Sequence, residues 1–187
     1  GIIACGKLRK FGEGVQPHEK TLEGPKADRL NLTRATACQM GQIFMLYDDP
    51  SNVDSKIIPR AMQNEPVIDM TDEHDVRHWL FVIEEPESVA AFTSMMADKQ
   101  TVIADGHHRY TTALNYCRTL RDAGRIDDEH EANFVLFALV PRTALLLTLA
   151  LLALGLKTVD KQGQVDLRNR RRIVPMQKRL HRCCRFY

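Results

Sequence analysis

Thr101-Val-Ile-Ala-Asp-Gly-His-His-Arg-Tyr-Thr-Thr-Ala-Leu114 is the stretch whose reading decides the fold. Thr101 to Ala104 is a short apolar, β-branched run that reads as a buried strand. From Tyr110 onward, apolar residues recur at helical spacing: Tyr110, Ala113, Leu114, Cys117 and Leu120. Between them lies the polar turn Asp105-Gly106-His107-His108-Arg109, with glycine where a tight strand-to-helix turn wants one. A helix start presents unpaired backbone N–H groups and the positive end of the macrodipole, so it suits an anion. Arg109 adds a planar donor fork with a permanent charge at the same place. Strand, glycine turn and basic helix start together describe a phosphate-binding arrangement.

An Asp-Gly turn between strand and helix also occurs with no ligand. Two adjacent histidines and an arginine are what a purely structural turn does not need, and loops after strands are where function gathers. A metal shared by His107 and His108 is not expected, because neighbouring side chains diverge on a helix and on a strand.

Outward from this stretch, the 187 residues are enough for one substantial core, with 44% hydrophobic and 27% charged residues. Five cysteines with no C-x-x-C pair favour a reducing compartment over a disulfide framework or a zinc site, and no signal peptide is visible. Both point to a cytoplasmic protein. The chain starts without Met, directly in an apolar run, and reads as an internal piece of a longer protein. The net charge of +2 hides an asymmetry: residues 157–187 carry ten Lys/Arg against Asp160 and Asp166, which leaves −6 for the rest. The basic run lacks interleaved aromatics, which argues against a nucleic-acid partner. Ala144 to Leu156 is apolar all round but shorter than the ~20 residues of a membrane span. No membrane partner is expected, and the oligomeric state is not readable.

Along the chain, Ile2 to Leu8 reads as a strand, and Gly24-Pro25 opens a helix running to about Met40, with Lys26, Arg29 and Thr33 on one stripe. Gly41 stops it. Ile43 to Tyr47 is a buried strand, followed by the turn Asp48-Asp-Pro-Ser-Asn52. Val53 to Met62 is helical in pattern but interrupted by Pro59. Val67–Met70 and Val76–Ile83 read as a strand pair. Pro86 starts a helix with Val89, Phe92 and Met96 on its buried face, and Phe134 to Val140 is another core strand. Three apolar runs separated by amphipathic helices predict an α+β fold, with Thr101–Ala104, Phe134–Val140 and Ile43–Tyr47 in one mixed sheet under covering helices.

Several stretches together resemble the "domain of unknown function 1015" family of bacteria and archaea. They are Pro17-His18-Glu19-x-Thr21, Gly24-Pro25-Lys26-x-Asp28-Arg29, Arg34-Ala35-Thr36, Ile43-Phe44-x-Leu46-Tyr47-Asp48-Asp49 and Asp105-Gly106-His107-His108-Arg109-Tyr110. The resemblance spans residues 1–140, as a fragment of one α+β domain. Residues 141–187 depart from it, apolar and then basic, like sequence read out of frame or a disordered tail that adds little to the fold. His18-Glu19 and the Asp-Gly-x-His-Arg turn are also similar to the ParB/sulfiredoxin-like superfamily, some of whose members are kinases of free serine. That similarity implies a strand–turn–helix nucleotide site. Glu19 would be the general base beside His18, and Asp105, Gly106, His107, His108 and Arg109 would hold phosphates.

The residues themselves suit phosphoryl transfer, which needs phosphates held in line, charge neutralised and an acceptor hydroxyl near a base. Arg109 and the Lys26/Arg29 stripe supply charge. Asp105, or Asp48 and Asp49, would help to hold Mg²⁺, since that ion takes one or two carboxylates plus phosphates. The expected function is ATP- or ADP-dependent, with Mg²⁺, acting on a small-molecule hydroxyl such as that of serine. Two alternatives stand beside it. One is a nucleotide- or nucleic-acid-binding module without turnover; the other is a hydrolase built on His18, His107 and His108.

Overall fold

The computed structural model describes residues 1–17, 23–144 and 146, and of residues 23–26 the backbone only. In chain order the elements are β1 (Ile2–Lys7), β2 (Val15–Gln16), α1 (Glu23–Thr36), β3 (Ile43–Tyr47), α2 (Asp54–Ala61), β4 (Ile68–Thr71), β5 (Arg77–Leu80), α3 (Pro86–Ala97), β6 (Thr101–Asp105), α4 (His107–Asp122) and β7 (Phe134–Pro141). Five strands form one sheet in the order β1-β7-β3-β6-β2, and β4 pairs with β5 apart from it. β1–β7 and β3–β6 are antiparallel, whereas β3–β7 and β2–β6 are parallel. The fold is α+β with a mixed sheet, and the three apolar runs are its adjacent central strands.

Alternation along these strands places Ile43, Met45, Tyr47, Ile103, Val135, Phe137 and Leu139 on one fully buried face. Phe92, Met95 and Met96 of α3, and Ala113 and Leu114 of α4, pack against that face. Each such large side chain taken from water contributes roughly 1.5–3 kcal/mol. Gly6 on β1 permits the closest packing, since a Cβ there would collide with the Phe137 ring.

The structure differs from the sequence expectations at several element ends. α1 stops at Thr36, not near Met40, because Ala37 takes a φ of 47° and leaves the helix. The freed segment is held by Gln39, whose amide donates to the Phe134 carbonyl at 2.8 Å and accepts from the Leu136 amide at 2.8 Å. It bonds β7 as a neighbouring strand would. α2 forms despite Pro59, with Ile57 and Ala61 buried and the Asp49 carboxylate accepting the Asp54 amide at 3.1 Å. On α3 the buried side runs through Ser88, Phe92, Met95 and Met96, which leaves Val89 47% exposed.

The hairpin is shorter than expected, with β5 ending at Leu80. Asp72 closes its turn: Oδ1 accepts from the amides of His74 at 2.9 Å and Val76 at 3.0 Å, and Oδ2 lies 3.0 Å from His78 Nε2. The His78 ring first, and then those two amides, hold the Asp72 carboxyl at about 2. A lowered carboxyl stabilises the fold above its ordinary value of 3.8 and loses that contribution as pH falls through about 2. The His74 and Val76 amide resonances should therefore move together between about pH 4 and pH 2. Unchanged resonances across that window would contradict the assignment.

Among the described residues no helix is long and apolar enough to cross a membrane. The basic tail, and all of the Leu-rich run except Ala144 and Leu146, lie outside the described residues.

Candidate functional site at the start of the fourth helix

β6 delivers Asp105 to the sheet end, Gly106 turns the chain, and α4 begins at His107, one turn ahead of the apolar stripe that predicted it. Gly106 sits in the left-handed region at φ 98°, which carries no penalty only for glycine. Its carbonyl accepts the first helical bond, from the Tyr110 amide at 2.9 Å, and the helix start has no side-chain cap. The Arg109 side chain folds back over this glycine. Its Nη2 donates to Asp105 Oδ2 at 2.7 Å, and a Cβ on Gly106 would lie 2.9 Å from the same nitrogen. Gly106→Ala should therefore cost about 1–3 kcal/mol in chemical denaturation, through backbone strain and displacement of Arg109. A variant as stable as the parent would refute this account of the turn.

Helix packing then brings a second arginine to the first. Arg29, Leu32 and Thr33 of α1 face Arg109, Thr112 and Tyr116 of α4 across a pocket of about 230 Å³. Gln39, Met40 and Gly41 form its end, and the Arg109 side chain runs past Gly41 at ordinary contact distance, with Cδ 3.9 Å from where a Cβ would sit. Among the described lining residues there is no carboxylate. Thr112 is 4% exposed, and its hydroxyl has no hydrogen-bond partner among the described residues. The same holds for Arg109 Nε, His108 Nδ1, Thr111 Oγ1 and, beside Gly41, Gln42 Nε2. Buried polar atoms left without partners cost about 1–3 kcal/mol each. Of these residues, Arg109 and Thr112 line the pocket, and His108, Thr111 and Gln42 do not.

The candidate residues divide accordingly. Arg109 and Arg29 share the pocket, with Asp105 and Gly106 fixing the Arg109 guanidinium. His107 is 1% exposed, packed into the interior, and His108 is half-buried on the neighbouring helix face. Lys26 lies one turn before Arg29 on α1, but its side chain is outside the described residues, as are His18 and Glu19. Asp48 and Asp49 do not join this site. β3 and β6 are antiparallel, so Phe44 pairs with Asp105 while Tyr47 pairs with Thr101 at the other sheet end. There Asp48 pairs with Arg142 at 3.3 Å, and Asp49 is buried under α2. Thr112 and Tyr116 were not foreseen, although both lie on the Arg109 face at helical spacing.

Residues 1–149 match the family described as "Protein of unknown function (DUF1015)". The chain belongs to this family. No curated protein and no solved structure matches it. The matched span contains all seven strands and four helices given above, and with them the whole pocket. Arg29, Gly41 and Arg109 are thus part of the family region.

For a nucleotide with Mg²⁺, the donor set fits unevenly. Two guanidinium groups and a buried hydroxyl suit phosphate oxygens. For Mg²⁺ the turn offers Asp105, already bonded to Arg109. Among the described residues no three His, Cys, Asp or Glu side chains lie close enough to hold a metal ion.

Proposed function

We propose that this chain binds a phosphorylated small molecule, a nucleotide by preference, in the pocket between α1 and α4. The observation that carries the reading is the convergence of Arg29 and Arg109, from two different helices, on a cavity with no carboxylate in its described lining and a buried, unbonded Thr112 hydroxyl. Arg109 would hold phosphate oxygens with the part of its donor fork that Asp105 leaves over. Arg29 would neutralise charge from the opposite wall, and Thr112 would donate its hydroxyl. Tyr116 supplies an aromatic face at the apolar end of the same pocket. Arg109→Ala should weaken ADP binding by roughly 1.5–3 kcal/mol, the loss of a charged hydrogen bond, as read by calorimetry. Undiminished ADP binding to this variant, or none to the parent chain, would remove the reading.

The finer reading is the kinase one, with a ParB/sulfiredoxin-like site in which Glu19 takes the proton from a serine-like hydroxyl and Arg109 and Arg29 hold the phosphates. One feature of the sheet favours it. β2 is parallel to β6, with Gln16 opposite Val102, so the chain leaves β2 towards the sheet end that carries the Asp105–Arg109 turn. A base and a phosphate cradle serve one reaction only when a hydroxyl reaches both, within about 3 Å of the base.

A further inference from the structure

A second cavity shares no lining residue with the α1–α4 pocket. We propose that it binds an anionic amphiphile, a fatty carboxylate of medium chain length, with its tail against the sheet and its head group at Arg9 and Lys99. The cavity measures about 290 Å³ between the buried face of the sheet and α3. Its walls are apolar: Val15, Met45, Phe92, Met96, Phe137 and Leu139. If each heavy-atom group takes the ~30 Å³ that a water takes in the liquid, the space suits a chain of roughly eight to ten carbons.

The polar part of its lining carries the opposite character. Lys7, Arg9 and Lys99 belong to it and no carboxylate is among the described lining residues, although Lys99 also has the buried Asp49 carboxylate within electrostatic reach. Arg9 is held in place rather than loosely exposed. Its backbone amide donates to the Tyr110 phenol at 3.1 Å, and the phenol donates to its carbonyl at 2.7 Å. Its side chain lies across Gly14, where a Cβ would come 3.3 Å from Nη1. Gly14 has a φ of 86°, and its carbonyl accepts from the Thr101 amide at 2.8 Å, which ties the loop to the first residue of β6. The Lys99 carbonyl is 3.8 Å from that same Cβ position, so Arg9 and the Lys99 backbone flank one glycine. A half-open apolar cavity with a fixed arginine in its lining selects a ligand that is apolar along its length and anionic at one end.

Calorimetry on the full chain with decanoate, decanol and acetate tests this. Decanoate should bind, decanol should bind at least roughly tenfold more weakly for want of the charged bond, and acetate should not bind. Arg9→Met should weaken decanoate to the same degree, since the backbone bonds to Tyr110 do not involve the replaced side chain. Ala97→Phe, at an exposed position at the end of α3 that borders the cavity, should abolish decanoate binding by filling it. Thr93→Trp fills it from the previous helical turn and should do the same. ADP binding should be unchanged in all three variants. The proposal is overturned if decanoate fails to bind the parent chain, if decanol binds as tightly, or if folded Ala97→Phe and Thr93→Trp proteins still take decanoate.

Discussion

Glu19→Gln is expected to reduce phosphoryl transfer to serine by about a hundredfold or more while leaving ADP affinity close to unchanged. A positioned acid or base contributes typically 10²–10⁴ in rate, and the amide keeps the size and much of the hydrogen bonding of the carboxylate while removing its basicity. The motivation is the parallel pairing of β2 with β6. Val102 has three residues of β6 beyond it before the Gly106 turn, and Gln16 faces Val102, so the two chains run towards one end of the sheet together. The proposed phosphate contacts are those of Arg109 and Arg29, so binding and turnover should separate in this variant. A coupled assay with ATP and serine, set beside calorimetry with ADP, reads both. Turnover that persists in Glu19→Gln contradicts the base assignment. A parent chain that binds ADP without any turnover leaves a binding module in place of a kinase.

Tyr110→Ala should destabilise the chain by about 3–5 kcal/mol, the range for deleting a large buried aromatic ring. Tyr110 is wholly buried and joins three parts of the molecule. Its ring lies 5.3 Å from that of Phe11 and is stacked 6.2 Å from that of Phe137. Its phenol bonds both backbone groups of Arg9, across 101 residues of sequence. Burial pushes the phenol above its ordinary value, so it remains a donor throughout the working pH range. Tyr110→Phe separates the contributions. It keeps the ring and strands the Arg9 amide and carbonyl, for a loss of about 1–3 kcal/mol. Urea denaturation of both variants reads the difference, and equal losses would show that ring packing contributes little.

How much of this was legible in the sequence depended on whether the deciding interaction was local. β3, β6 and β7 are short apolar runs rich in branched and aromatic residues, and α4 carries its stripe within its own sixteen residues. These were readable. β2 has two residues, Val15 and Gln16, too few to show any period, and its pairing with β6 is fixed by contacts 86 positions away. The end of α1 was misplaced because Ala37, which enters the left-handed region, is a residue type that rarely goes there. Gln39 holds the segment after it through bonds to residues 95 and 97 positions on, which no local pattern announces. Within the site, Arg109 read as a free donor fork. Asp105 ends β6 and Arg109 lies in the first turn of α4, and the left-handed Gly106 between them folds the two together so that the structure bonds them. Arg29 was picked out by its stripe on α1, but only the packing of α1 on α4 gives it Arg109 as a pocket mate. Asp48-Asp49 read first as a turn and only second as help in holding Mg²⁺, and sequence does not reveal strand direction. Once β3 is antiparallel to β6, they fall at the wrong end.

The central claim is that a phosphorylated ligand sits between Arg29 and Arg109. Its most direct measurement is a titration of the isotope-labelled chain with ADP, followed by amide and side-chain NMR resonances. The account predicts saturable shifts grouped at Arg29, Gly41, Gln42, Arg109 and Thr112, lost together in Arg109→Ala. Shifts centred on the Asp72–His78 hairpin or on the Arg9–Lys99 cavity, or none at high ADP, would contradict it.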